Sequence, residues 1–373
     1  MSVVHHDQPL LTLDPPPKRI AVLRALFLGD LLCSTPALRA LHQRFPQAEL
    51  TLITLPWAYE LTRRLPYIQR LEHFPGYPGI GEVEHRPERT ALFFSQARQS
   101  SYDLVLQMHG DGTASNGFVS DMDGWMSVGY RNPGITPPDS RLTLSLPYDP
   151  DEHEVQRWLR LVGLLGAETS NTSLDMPITP AEWEQAHTLL SARRGAGPLV
   201  GLHTGAKDAA RRWPAERFAL LADTLVERYH ARIVLTGSEN ERSITSSVRR
   251  AMRHPALDLT GRTDLGVFAA VIGGLDLLVT NDTSASHIAA ARETRSVVIF
   301  GPTRPAQWRP LNIHLHRVVS GATATDDGLT SRTEQRATLH PLTWSLQSSI
   351  SMITVETVLA ECAELLEPSL SAL

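Results

Sequence analysis

A chain of 373 residues is too long for one ordinary core and suits two domains of roughly 150–200 residues each. With 42% hydrophobic and 20% charged residues it reads as globular, and a formal net charge of −5 excludes a nucleic-acid or anionic-membrane binder that works by bulk charge. Its two cysteines, Cys33 and Cys362, exclude a disulfide framework and a CxxC pair, and no apolar run approaches the ~20 residues that span a bilayer.

Residues 1–18, MSVVHHDQPLLTLDPPPK, lack a basic region followed by an apolar core and are expected to be a flexible tail in a cytoplasmic protein. His5, His6 and Asp7 are metal-competent side chains, but on a tail of this kind they read as solvated. RIAVLRAL then predicts a strand, Gly29-Asp30 a tight turn, and LLCSTPALRALHQRF a helix. AELTLITL is a second strand with AYELTRRL as a helix behind it, and YDLVLQMHG is a third strand ending in polar residues. Strands that are apolar throughout and alternate with helices predict a parallel sheet covered on both faces.

DEHEVQRWLRLVGLLGA predicts a helix, and a proline-flanked link, a short helix and a glycine-rich break follow. The pattern then restarts with LVGLHTGA, ARIVLTG, ALDLTG, DLLVTND and RSVVIFG as strands and with helices between them. Two successive open α/β domains follow, an N-terminal one over 19–180 and a C-terminal one over 181–350. Residues 320–349 read as a polar surface loop, and 351–373 as an amphipathic closing helix that packs back on the N-terminal domain.

Ligands of such sheets bind outside the carboxyl ends of the strands, so the loops that follow strands carry the candidates. No GxGxxG follows the first strand, which removes the main support for dinucleotide binding. Asp30 there is either the N-cap of the next helix or a carboxylate available as a general base. Thr35-Pro36 looks like a second helix start, which would free Asp30 from capping.

In GLHTGAKDAARRWPAERF, the turn Thr204, Gly205, Ala206 is followed by Lys207, Arg211 and Arg212 and then by a helix start. Cations beside outward-pointing helix N–H groups suit a pyrophosphate, although a solvated basic loop has the same composition. Trp213 reads as a packing anchor. NDTSASHIAAA repeats the pattern: Thr283 and Ser284 suit phosphate oxygens or a helix cap, Asp282 suits sugar hydroxyls, and His287 is either a ligand contact or a buried support. FGPTRPAQWRP adds Thr303 and Arg304 at a further strand end.

Taken together and in this order, VLRALFLGDLLCSTPALRAL, YDLVLQMHG, GLHTGAKDAARRWPAERFALLADTL, LTGRTDLGVFAAVIGGLDLLVTNDTSASHIAAA and IFGPTRPAQW resemble glycosyltransferase family 9, the ADP-heptose:lipopolysaccharide heptosyltransferase-like enzymes. The resemblance implies a GT-B fold, two Rossmann-like domains facing across a cleft, with acceptor on the first and nucleotide-sugar on the second. It implies inversion at the anomeric carbon with no metal and no cofactor beyond the ADP-sugar co-substrate, the sugar being heptose. Carried over position by position, Asp30 takes the catalytic role, and Arg24, Gly29 and His109 fall on the acceptor side. Arg211 or Arg212, with Thr204, Gly205, Lys207, Asp282, Thr283, Ser284, His287 and Thr303, fall on the donor side.

Two positions depart from the family's usual pattern: Leu26-Phe27 stand where polar residues are common, and Ser284-Ala285 where Gly-Pro is common. One branch of the family glycosylates proteins and carries a cysteine-rich metal site, which two distant cysteines cannot build. The implied partners are ADP-heptose and a glycan, lipid-linked or protein acceptor at the inner face of the cytoplasmic membrane, with no nucleic acid. A nucleotide-sugar epimerase or hydrolase of the same fold, and a non-catalytic nucleotide-sugar-binding scaffold, are the rival readings.

Overall fold

The computed structural model describes residues 13–134, 142–191, 195–321 and 350–370, without the side chains of 368–370. By its contacts the chain divides into two compact units, 1–175 and 176–373. The first contains β1 (Arg19–Leu23), α1 (Leu28–Arg44), β2 (Glu49–Thr54), α2 (Tyr59–Thr62), β3 (Arg70–His73), α3 (Pro87–Ser100), β4 (Leu104–Gln107), α4 (Ser115–Asp121), β5 (Met126–Arg131), β6 (Leu144–Pro147) and α5 (Glu154–Gly163). The second contains α6 (Pro180–Ser191), β7 (Leu199–His203), α7 (Ala215–Tyr229), β8 (Arg232–Thr236), α8 (Arg242–Ala251), β9 (Leu257–Asp258), α9 (Leu265–Gly273), β10 (Leu277–Asn281), α10 (Ser284–Ala291), β11 (Ser296–Phe300), α11 (Pro305–Trp308), β12 (His316–Ser320) and α12 (Val355–Leu370).

Each unit is built on one six-stranded sheet in which every pairing is parallel. The order is β3-β2-β1-β4-β5-β6 in the first and β12-β11-β10-β7-β8-β9 in the second. Counted from the first strand of each unit, both sheets have the order 3-2-1-4-5-6, the doubly wound arrangement. The central strands are apolar on both faces because helices cover both: β4 and β10 are buried at every residue.

Helix α1 is continuous from Leu28 to Arg44 and passes through Pro36, so the expected second start at Thr35-Pro36 does not occur. Proline has no N–H to offer the carbonyl of Leu32, and the Thr35 hydroxyl donates to that oxygen instead, at 2.7 Å. Gly29 lies in the first turn of this helix rather than in a tight turn before it. AYELTRRL, expected to be a helix, gives a 3₁₀ turn at Pro56–Ala58 and the single turn of α2. Strands β3, β5, β6 and β12 have no counterpart in the elements expected from sequence.

The apolar stripe of α12, expected to return to the N-terminal domain, is used in the second unit instead. Val358, Leu359, Cys362, Leu365 and Leu366 are buried in one cluster with Trp213, Phe218, Val279 and Ile299. Residues 1–12, with His5, His6 and Asp7, and residues 322–349 of the expected surface loop lie outside the described residues. Among the described residues no helix is long and apolar enough to cross a membrane.

Candidate active site

In each sheet the strand order reverses once, between β1 and β4 and between β7 and β10. A crevice at the carboxyl ends of those strands is where open α/β sheets take their ligands. The candidates fall at these two places: Arg24, Gly29 and Asp30 follow β1, His109 follows β4, Thr204 to Arg212 follow β7, and Asp282 to Ser284 follow β10.

At the first switch point Asp30 sits in the first turn of α1, whose N-cap residue, Phe27, makes no side-chain cap bond. The Asp30 side chain is 22% exposed. Burial is the main influence on its pKa and raises it above the ordinary aspartate value; Arg24 pulls it down, and Glu154 pushes it up. Its position near the positive end of α1 and its partial exposure leave it able to accept a proton.

Arg24 is fully buried. Its Nε and Nη2 donate to the main-chain carbonyl of Asp30 at 3.2 and 2.8 Å, and its Nη1 to that of Met108 at 2.8 Å. It therefore braces the loop beneath Asp30 rather than presenting a cation to an acceptor. His109 is also buried: the Ala25 N–H donates to Nδ1 at 3.3 Å, which leaves Nε2 as the protonated nitrogen in the neutral ring, 3.7 Å from a Glu82 carboxylate oxygen. Phe27, in contrast, is 45% exposed three residues before Asp30.

At the second switch point a buried asparagine ties the loops together. The Asn281 Nδ2 donates to the carbonyls of Thr204 (2.9 Å) and Gly205 (3.2 Å), and its Oδ1 accepts from the Trp213 N–H at 3.0 Å. The Thr204 hydroxyl is buried and makes no hydrogen bond among the described residues. A Cβ on Gly205 would lie 1.8 Å from an oxygen of Glu241, so only glycine lets that carboxylate lie over the loop. Glu241 also accepts from the N–H and hydroxyl of Ser238, at 2.7 and 2.8 Å, closing a capping box at the end of β8. Beside it, burial lowers the pKa of His203, whose Nδ1 lies 3.2 Å from the Thr236 hydroxyl.

The two arginines separate. Arg212 donates from Nε to Ala206 O (2.8 Å) and from Nη2 to Lys207 O (3.2 Å), so it staples its own loop. Arg211, with a side chain 39% exposed, places Nη1 3.6 Å from Asp282 Oδ2. Asp282 is buried and accepts from the Thr303 hydroxyl at 2.6 Å, so it orients Arg211 and Thr303 rather than standing open to a sugar. Lys207 is exposed. Thr283 is the N-cap of α10, accepting from the Ala285 N–H at 3.3 Å, which leaves Ser284 as the first helical residue with its N–H at the positive helix end. His287 is buried one turn further on, edge-on to Trp308. Trp213 anchors the core and donates from its indole to Ile353 O at 2.9 Å.

Glu154, Asn281 and Glu241 were not among the sequence candidates. Asn281 had a signal, being the polar end of a strand apolar throughout; so had Glu241, as the fourth residue of an S-x-x-E capping pattern. Glu154 opens a helix in a polar stretch, and nothing local marks it as buried.

The family model of glycosyltransferase family 9 (heptosyltransferase) matches residues 91–336. Lipopolysaccharide heptosyltransferase 2 of Escherichia coli is 27% identical over 328 residues, which cover 81% of this chain and 87% of that protein. Among solved structures, a glycosyl transferase family 9 protein from Veillonella parvula superposes with a TM-score of 0.75 at 22% identity, covering 94% of this chain and 98% of its own. The structure of E. coli ADP-heptose lps heptosyltransferase II does so with a TM-score of 0.70 at 21% identity, covering 94% and 99%. The fold these structures share with the chain is GT-B.

Proposed function

The chain belongs to glycosyltransferase family 9, and we propose that it moves a heptose from ADP-heptose to a hydroxyl of a lipopolysaccharide or lipooligosaccharide acceptor, with inversion and without a metal ion. The observation that carries the reading is Asp30: a carboxylate at the switch point of the first sheet, partly exposed and held above the ordinary aspartate pKa by burial.

In a single displacement the acceptor oxygen forms a bond to the anomeric carbon as the bond from that carbon to the β-phosphate oxygen breaks. The bonding pair leaves on ADP, and the acceptor proton passes to Asp30. Since a carboxylate is a weak base, proton transfer runs late, when the attacking oxygen has become acidic. The developing charge on the diphosphate is the larger problem. Arg211, Lys207, the Ser284 N–H and the Thr204 hydroxyl are the donors offered to it at the second switch point, in the place a divalent cation would take. Arg212 and Asn281 hold that loop in shape.

The test is turnover of ADP-heptose with lipooligosaccharide acceptors of graded length, with and without a chelator, with the anomeric configuration of the product read by NMR. Transfer with inversion that survives chelation is expected. ADP release without transfer to any acceptor would replace the reading with that of a hydrolase.

A further inference from the structure

The base proposed above rests on a buried ladder of ion pairs that the reaction does not touch. Arg24 is shared between two carboxylates. Its Nη2 donates to Glu154 Oε1 at 3.1 Å, whereas the same atom stands 3.9 Å from Asp30 Oδ1. Glu154 is the first residue of α5, is buried, and also accepts from Arg157 and, at 3.2 Å, from the Trp158 indole. The Trp158 ring lies under the Arg24 guanidinium, 4.6 Å from it, and α1 packs along α5. The guanidinium is thus held by the Asp30 and Met108 carbonyls, by Glu154 and by the Trp158 ring, and its shorter contact to a carboxylate goes to Glu154 rather than to Asp30.

We propose that Glu154 is a positioning residue for the reaction: by holding the Arg24 guanidinium, it withholds a close ion pair from Asp30 and keeps that carboxylate basic enough to take the acceptor's proton. An opposite charge within about 4–6 Å favours the ionised carboxylate and a like charge disfavours it, so the choice of carboxylate governs how basic Asp30 is. The groups acting on Asp30 are Arg24 from the end of β1 and Glu154 from α5, with the N–H groups of Phe27 and Asp30 itself from α1. Those on Glu154 are Arg24 and Arg157. Tyr130 and Tyr148, packed against this ladder, stay neutral because burial pushes both phenols up. His109 faces Glu82 on the other side of the switch point.

The inference rests on the reading of Asp30 as the base. Its test is the pH dependence of kcat/KM for the full chain and for Glu154→Gln. Losing the Glu154 charge turns Arg24 toward Asp30, so the acid limb is expected to move down by about half a pH unit or more. A weaker base is expected to lower plateau kcat about threefold, with both KM values within about twofold. An unmoved acid limb in a variant whose unfolding temperature matches the parent overturns the proposal. Glu154→Asp keeps a carboxylate for Arg157 and shortens the reach to Arg24, so it covers the case in which the glutamine variant fails to fold. A smaller downward shift is expected there, and none overturns the proposal. Asp30→Asn separates the two levels: turnover near the parent's defeats the base reading itself, whereas a dead Asp30→Asn beside an unmoved Glu154→Gln defeats only the role of Glu154.

Discussion

Replacing Asn281 by alanine removes a side chain that joins two strand ends and the start of the second unit's core. The Trp213 N–H loses its acceptor, and the carbonyls of Thr204 and Gly205 lose a shared donor, all at buried positions. Leaving a buried polar group unsatisfied costs about 1–3 kcal/mol. The N–H and the carbonyl pair, counted as two such losses, give about 2–6 kcal/mol. Set against the ~5–15 kcal/mol of a typical domain, that is a large fraction. At ~2–4 °C per kcal/mol for a unit of about 200 residues, Tm should fall by about 4–24 °C.

The assay is thermal unfolding of the full chain, followed by ADP titration below the transition. Because the untied loop carries Lys207 and Arg211, ADP affinity should fall tenfold or more, about 1.4 kcal/mol. Asn281→Asp keeps an acceptor for Trp213 but points a carboxylate at two carbonyls, so it should be at least as harmful. An alanine variant that unfolds within 1–2 °C of the parent and binds ADP normally would refute the argument, since it would mean the three bonds hold nothing together.

Arg211→Ala should raise the donor KM about tenfold with little change in Tm, whereas Arg212→Ala should lower Tm as well because it removes the staple to Ala206 and Lys207; thermal scans beside donor kinetics separate the two. Gly205→Ala should displace Glu241 and weaken ADP binding at a cost in stability below ~1 kcal/mol, because the obstructing atoms are the end of a flexible side chain; a stability loss of several kcal/mol would contradict this. His316 is buried against Ser296, and burial lowers its pKa to about 4. A depressed histidine pKa favours folding above the unfolded value of ~6.5, and that contribution is lost as pH falls from there toward 4, by up to ~3 kcal/mol. His316→Gln should flatten the stability profile in that window, as denaturant midpoints at pH 7.5 and 4.5 would show.

The sequence made the central strands and the loops that follow them legible because those strands are apolar on both faces and polar residues begin where they end. The missing pieces have local causes. β3 is a four-residue edge strand, Arg-Leu-Glu-His, half-exposed along its length, so it lacks the buried run that marked β1 and β10. Pro36 reads as a helix start, but it lies inside α1 because Thr35 supplies the hydrogen bond that proline cannot. Charge type was legible and direction was not. Arg24, Arg211 and Arg212 all looked ligand-facing, yet one is buried under a carboxylate and one folds back on its own loop. Glu154 stands 124 positions after Asp30, and only the packing of α5 on α1 brings the two together.

The account depends most on Asp30 being the group that takes the acceptor's proton. The direct measurement is single-turnover transfer from ADP-heptose by Asp30→Asn beside the parent chain, with donor binding measured on the same samples. Loss of a general base predicts a rate lower by about 10²–10⁴ with ADP-heptose affinity within a few-fold and an intact fold. A rate within a few-fold of the parent's would show that the proton goes elsewhere and that the carboxylate at the first switch point is only part of the scaffold.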